Sequence, residues 1–232
     1  MKKTTALFLT ALFVVCGVIT PAAEAQHYGA LRSFLSAKQV SLGIGGGSEH
    51  VTWANEDDLY QQKVVHGKVG LGLGKEWQVT GLIGAMDLDA KPETKFASSP
   101  VPFIGASIGG PIFAGRTLSF GPIVQANYTL QAFDSGGNEI EEMLKISAAL
   151  LAQIEMDGAS LYLGPSINTG DATFNGKSVE KGRSYGGLIG IRWLLPANWP
   201  TDSNKVYLDL EVGNKDFSLN KVDVTFEVNV AI

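Results

Sequence analysis

One cysteine, Cys16, is the whole thiol content of the sequence, and it lies in the N-terminal stretch that reads as a targeting segment. Lys2 and Lys3 give that stretch a positive start, an apolar run follows from Ala6 to Ile19, and Ala23-Glu24-Ala25 is a small-x-small cleavage site. Residues 1–25 are therefore expected to be a signal peptide, with Gln26 first in the mature chain. A retained membrane anchor would need a longer apolar run. Acylation of Cys16 would need small residues where Phe13-Val14-Val15 stand. Loss of Cys16 excludes disulfides and thiolate catalysis, although the signal directs the chain to an oxidising compartment. Charge is also scarce, at 18% of residues against about 25% in a typical soluble domain. Removing Lys2, Lys3 and Glu24 takes the formal net charge from −5 to −6, which offers no basic surface and excludes nucleic acid as an expected partner. Long apolar runs are missing too: beyond Gln26 none approaches the roughly 18 residues of a spanning helix.

Glycine, by contrast, is abundant at 28 residues, and apolar residues recur at every second position. About ten such runs follow a short segment, residues 26–36, expected to be a turn or helix on the periplasmic side. They are Gln39–Gly46, Gln61–Gly74, Trp77–Leu88, Val101–Gly109, Arg116–Ala132, Glu142–Met156, Ala159–Asn168, Ser184–Leu195, Lys205–Val212 and Lys221–Ile232. The last is typical: Val222, Val224, Phe226, Val228, Val230 and Ile232 alternate with Lys221, Asp223, Thr225, Glu227 and Asn229. "LKISAALLAQIEM" has helical propensity, but its period and the following Asp157-Gly158 turn favour a strand.

The connections alternate in length. "GKE", "GPIFAGR" and "DG" are short, whereas "GGSEHVTWANEDD", "DAKPETKFASSP" and "TGDATFNGKSVEKGR" are long and polar. "FDSGGNE" is intermediate, and "PANWPTDSN" and "GNKDFSL" fit the alternation less well. Short turns at one end and long loops at the other suit a meander closed into a barrel. Trp77, Phe113, Trp193 and Trp199 all fall at the short-turn end, where a membrane-interface girdle would place them.

The polar rows decide which face is buried. They are mostly Ser, Thr, Asn, Gln, Gly and Tyr, not the Lys and Glu of a water-facing sheet. Small polar residues suit a crowded lumen, and a closed sheet pairs every backbone group, as hydrocarbon demands. The apolar rows are therefore assigned to lipid. On these residues residues 37–232 resemble the small bacterial outer-membrane β-barrel proteins. The resemblance implies an all-β, antiparallel up-and-down transmembrane barrel of about ten strands, with eight the smaller alternative. It also implies outer-membrane lipid as surroundings and insertion by the barrel-assembly machinery, which reads an amphipathic last strand. That family usually ends on an aromatic residue; this chain ends on Ile232, with Phe226 in the same phase.

With lipid outside, His66, Lys68, Lys145, Glu155, Arg192, Lys205, Asp209, Glu211, Lys221, Asp223 and Glu227 point into the lumen. Isolated buried charge is prohibitive, so an ion-pair network is expected, with Arg192, Lys205 and Glu155 clustered near the turn end. The alternative is a lining for a narrow polar pore. "GPIFAGRT" imitates a phosphate loop, but Arg116 replaces its lysine and a strand follows. Gly43, Gly45, Gly46 and Gly47 lack dinucleotide spacing and are assigned to relief of crowding in a curved sheet. Glu49, His50, Glu56, Asp57 and Asp58 read as a solvated acidic loop, not a metal site. No cofactor and no catalytic set is indicated. The expected role is structural, surface-interaction or minor permeability, with any extracellular or small-solute partner unidentified. Two other readings stay open: a soluble periplasmic barrel around an apolar ligand, and a barrel enzyme acting on lipid or peptide at the outer rim.

Overall fold

The structure, a computed structural model, describes residues 28–33, 35–52, 59–89, 100–129, 132–133, 139–174, 177–195, 205–215 and 222–232. Among them are twelve strands: β1 (Val40–Thr52), β2 (Leu59–Gly74), β3 (Trp77–Asp89), β4 (Val101–Gly109), β5 (Phe113–Ala114), β6 (Leu118–Thr129), β7 (Ala132–Phe133), β8 (Glu139–Met156), β9 (Ala159–Phe174), β10 (Lys177–Leu194), β11 (Lys205–Lys215) and β12 (Val222–Ala231). β5 and β7 are two-residue pieces. The other ten close into an antiparallel barrel, each beside its neighbour in sequence, with β6 on β8 and β1 on β12 completing the ring. Among the described residues no helix is long and apolar enough to cross a membrane, which says nothing of strands.

Side-chain polarity is inverted relative to a water-soluble barrel. Leu42, Ile44, Val65, Val69, Ile83, Ile104, Ile189 and Phe226 are exposed, whereas Ser41, His66, Gln125, Gln153, Arg192, Asp209, Glu227 and Asn229 are buried. On β12 the split follows the two-residue period: Phe226 is 43% exposed and Glu227 1%. Period two forces this outcome, because one face of each strand must meet the outside and the other the axis.

The tight turns lie at one end. Two of them need left-handed backbone. Gly158 has φ 74°, as expected of the second residue in Asp157-Gly158. Lys75 and Glu76 also have positive φ, 50° and 65°, without the freedom of glycine. At the loop end several strands outrun the periodic segments. β9 and β10 remain paired from Phe174↔Lys177 down through Gly170↔Lys181, within what reads in sequence as a long loop. β1 likewise pairs with β2 as far as Thr52↔Leu59.

Several glycines make room for large neighbours from adjacent strands. A Cβ on Gly45 would lie 2.5 Å from Glu227 Cγ and 3.0 Å from His66 Nε2, and one on Gly190 would overlap the Tyr162 ring. Relief of crowding is thus specific: Gly45 admits Glu227 and His66, and Gly190 admits Tyr162.

Candidate functional site: the filled lumen

The charged rows of β10, β11, β12 and β2 meet inside the barrel, because these strands adjoin around the ring with only β1 between β12 and β2. Arg192 grips Asp209 with two parallel bonds, Nε to Oδ1 at 2.6 Å and Nη2 to Oδ2 at 2.8 Å. The same guanidinium lies 4.6 Å from the centre of the Tyr207 ring. Asn229 Nδ2 donates to Asp209 Oδ2 at 3.3 Å and to Glu227 Oε2 at 3.2 Å. Glu227 also meets His66 Nε2 at 2.8 Å through Oε1 and accepts from Lys68 Nζ through Oε2. Arg192, Asp209 and Glu227 are all 1% exposed or less. Charges this dry persist only when paired and hydrogen-bonded, and these are.

The other expected lumen residues are placed as follows. Lys145, Glu211 and Asp223 are buried. Lys145 lies on β8, away from the cluster. Lys205, at the turn-end start of β11, is exposed. Lys221 and Trp199 lie outside the described residues, as do Glu56, Asp57 and Asp58 and the side chains of Glu49 and His50. Of the expected grouping, Arg192 and Glu155 share a register row, through Ser160, but Lys205 stands apart, exposed, and Arg192 is gripped by Asp209, its direct register partner on the adjacent strand. Glu155 instead accepts from Gln153 Nε2 at 2.6 Å and Ser160 Oγ at 2.8 Å, with Arg32 Nε at 3.8 Å.

Arg32 was not singled out in the sequence, and it belongs to a segment that lies inside the barrel rather than below it. Ala30 and Leu31 are 0% exposed and pack among Ile123, Ala149, Leu151, Tyr162 and Leu188. Leu35 packs with Tyr207, Ala231 and Leu194. Glu211 accepts from the backbone N–H groups of Tyr28 and Gly29, at 3.2 and 3.1 Å, and from Tyr162 Oη at 3.3 Å. Gly29 has φ 77°, a left-handed turn that aims successive N–H groups at one anion. Tyr28 Oη donates to Asn168 Oδ1 at 3.1 Å.

Arg32 fixes the other end of the segment. It donates to Glu76 Oε1 and, at 3.1 Å, to the Gly115 carbonyl, and its own carbonyl accepts from Arg192 Nη1 at 3.2 Å. The hydrogen bond to Glu76 is the main influence raising the Arg32 pKa, so the cation is secure at any physiological pH. Ser33 N–H donates to the Glu76 carbonyl at 3.1 Å. Glu76 therefore holds the segment through backbone and side chain together. Those bonds offset the cost, about 1–2 kcal/mol, of a non-glycine residue in the left-handed region.

Above Tyr28 a cavity of about 20 Å³ remains, lined by Asn168, Leu188, Glu211, Asn214, Asp223 and Thr225 among others. It has room for little more than water. No three His, Cys, Asp or Glu converge as metal ligands among the described residues. Of the aromatics expected at the turn end, Trp77 opens β3 and donates Nε1 to the Pro111 carbonyl at 3.1 Å. Phe113 is exposed at the start of the two-residue strand β5, and Trp193 lies one residue from the end of β10.

No protein-family model matches the chain, and no curated protein does. Solved structures with a similar outline include the COG4313 outer membrane channel from Pseudomonas putida F1: 11% identity, 90% of this chain and 98% of that one covered, TM-score 0.46. The translocator domain of autotransporter NalP from Neisseria meningitidis has 10% identity over 85% of this chain and 88% of that one, TM-score 0.48. The outer membrane protease OmpT from Escherichia coli has 11% identity over 83% and 94%, TM-score 0.35. At such values the functional reading rests on the geometry of this barrel.

Proposed function

We propose that this chain is an integral outer-membrane barrel with a structural, surface-interaction or minor-permeability role, its lumen filled by paired charges and by its own N-terminal segment. The inverted polarity carries the reading. A surface of Ile, Leu and Val with guanidinium and carboxylate groups at the axis is stable in hydrocarbon and unstable in water. The soluble-barrel alternative would need those rows turned round. Absence of catalysis is part of the same proposal: Asp209, Glu211, Glu155 and Glu227 are each committed to hydrogen bonds that hold the barrel or the segment.

Delivery by a cleaved signal and insertion by the barrel-assembly machinery complete the proposal. Cell fractionation with a heat-modifiability gel tests it. The protein should sediment with outer membranes and migrate differently before and after boiling. Native protein recovered in the soluble periplasmic extract would overturn the reading.

A further inference from the structure

We propose that the turn-end half of the lumen is a peptide-binding cradle whose ligand is this chain's own N-terminal segment, residues 28–33 and Leu35, and that the docked segment is what stops the barrel. The inference rests on the membrane-barrel reading above and adds a separable element to it.

Three observations support a cradle over incidental packing. First, the wall recognises main chain. Glu211 accepts two successive backbone N–H groups, Gln153 Oε1 accepts the Arg32 N–H at 3.0 Å, and Arg192 donates to the Arg32 carbonyl. Contacts of this kind bind a peptide main chain and are not the contacts of a side-chain core. Second, the wall is carved to fit. A Cβ on Gly72 would overlap the Ser36 carbonyl and lie 2.9 Å from Leu35 Cβ. Third, the wall changes polarity to match. Leu151 and Leu188 occupy lumen-facing positions and are buried against Ala30 and Leu31. Arg32 meanwhile sits among Glu76, Glu155 and the Gly115 carbonyl. A barrel that only filled its own axis would have no reason to present paired acceptors to a backbone or an apolar patch between polar rows.

Removing the segment should therefore leave a formed barrel with a through-path, and the segment should bind back as a separate peptide. The experiment compares the full-length protein with a variant lacking residues 26–36 in planar lipid bilayers, then adds a synthetic peptide of sequence QHYGALRSFLS. Full-length protein should be nearly silent. The deletion variant should give stable conductance steps, and the peptide should close them where a scrambled peptide does not. A deletion variant that keeps its heat-dependent gel shift but stays silent would overturn the cradle and leave the membrane barrel standing. Loss of the shift in full-length protein would overturn the barrel reading itself.

Should the deletion variant fail to assemble, thiol labelling decides. In a Cys16→Ser background, the Ala30→Cys thiol should resist a membrane-impermeant maleimide. Adding Glu211→Gln, which removes the charge and turns an amide donor toward one of the Tyr28 and Gly29 N–H groups, should speed labelling at least tenfold. Equal rates with and without Glu211→Gln would overturn the proposal.

Discussion

The bidentate pair Arg192–Asp209 allows a quantitative test of whether the lumen is dry. Both side chains are 1% exposed or less, and two bonds of 2.6 and 2.8 Å join them. Asp209→Leu keeps about the volume and removes the charge and both acceptor oxygens that face the guanidinium. Arg192→Met keeps much of the volume and leaves Asp209 with Asn229. Uncompensated charge at a buried site costs about 3–5 kcal/mol, so each single variant should lose that much stability. The double variant Arg192→Met/Asp209→Leu removes both desolvation penalties and should recover all but about 1–2 kcal/mol. The coupling between the two positions should then be at least about 4 kcal/mol. Urea unfolding of protein refolded into lipid vesicles, followed by tryptophan fluorescence, reads all four species. Repeating it near 1 M salt, where the screening length is about 3 Å, should leave a dry pair unaffected. Were the lumen water-filled, the pair would behave as an exposed salt bridge worth about 0.2–1 kcal/mol and weaken with salt. Single variants within 1 kcal/mol of the parent would refute the reasoning.

Two further predictions concern the wall. Ile83 is 68% exposed near the middle of β3. Ile83→Lys should cost about 2–4 kcal/mol if that row faces the bilayer midplane, with Ile83→Leu nearly neutral in the same urea assay; a neutral lysine there would mean that the row faces water. Gly190→Ala should cost about 1–3 kcal/mol by displacing the Tyr162 ring, whereas Gly81→Ala, with nothing within 4 Å of its Cβ, should be neutral or mildly stabilising. Equal effects from the two would show that the Tyr162 contact does not constrain the wall.

How far the sequence disclosed this molecule depended on where hydrocarbon enforces a pattern. β4 spans Val101–Gly109, the bounds its alternation implies, and β3 and β9 start at Trp77 and Ala159 as read. Within the bilayer one face must be apolar, and period two records it. The same rule goes silent above the membrane, where both faces are polar. Thr169–Lys181 therefore reads as loop although most of it is paired strand. The lumen charges were legible one by one from their phase, but their partners were not. Partnering depends on register and on what else enters the barrel. Asp209 faces Arg192 across a strand pair, and Arg32 arrives from a segment whose eleven residues show no period at all.

A signal for that segment was nonetheless present, in residues that break the alternation. In "SAALLAQ" Leu150 keeps the outward phase and is 41% exposed, while Leu151, on the lumen row, is 0% exposed. In "GGLIG" Ile189 faces out and Leu188 in, at 6% exposure. An apolar residue on a polar row needs an apolar neighbour inside the barrel. Ile123, Leu151 and Leu188 find theirs in Ala30 and Leu31. A second off-phase group stands nearer the loop end. Val64, Met86 and Val101 form one register row, and Phe103, Thr129 and Met143 form another. All six are buried, and the Thr129 hydroxyl lies 3.8 Å from Met86 Sδ. Apart from β2, these strands lie on the side of the ring away from Arg192, Asp209 and Glu227. Charges thus gather where both signs are within reach across adjacent strands, and the opposite wall, with few charges to neutralise, is filled by apolar volume. A ten-stranded lumen is too wide to be stopped by one kind of side chain. Ionic pairing on one wall and apolar packing on the other narrow it, and the peptide at the turn end closes it.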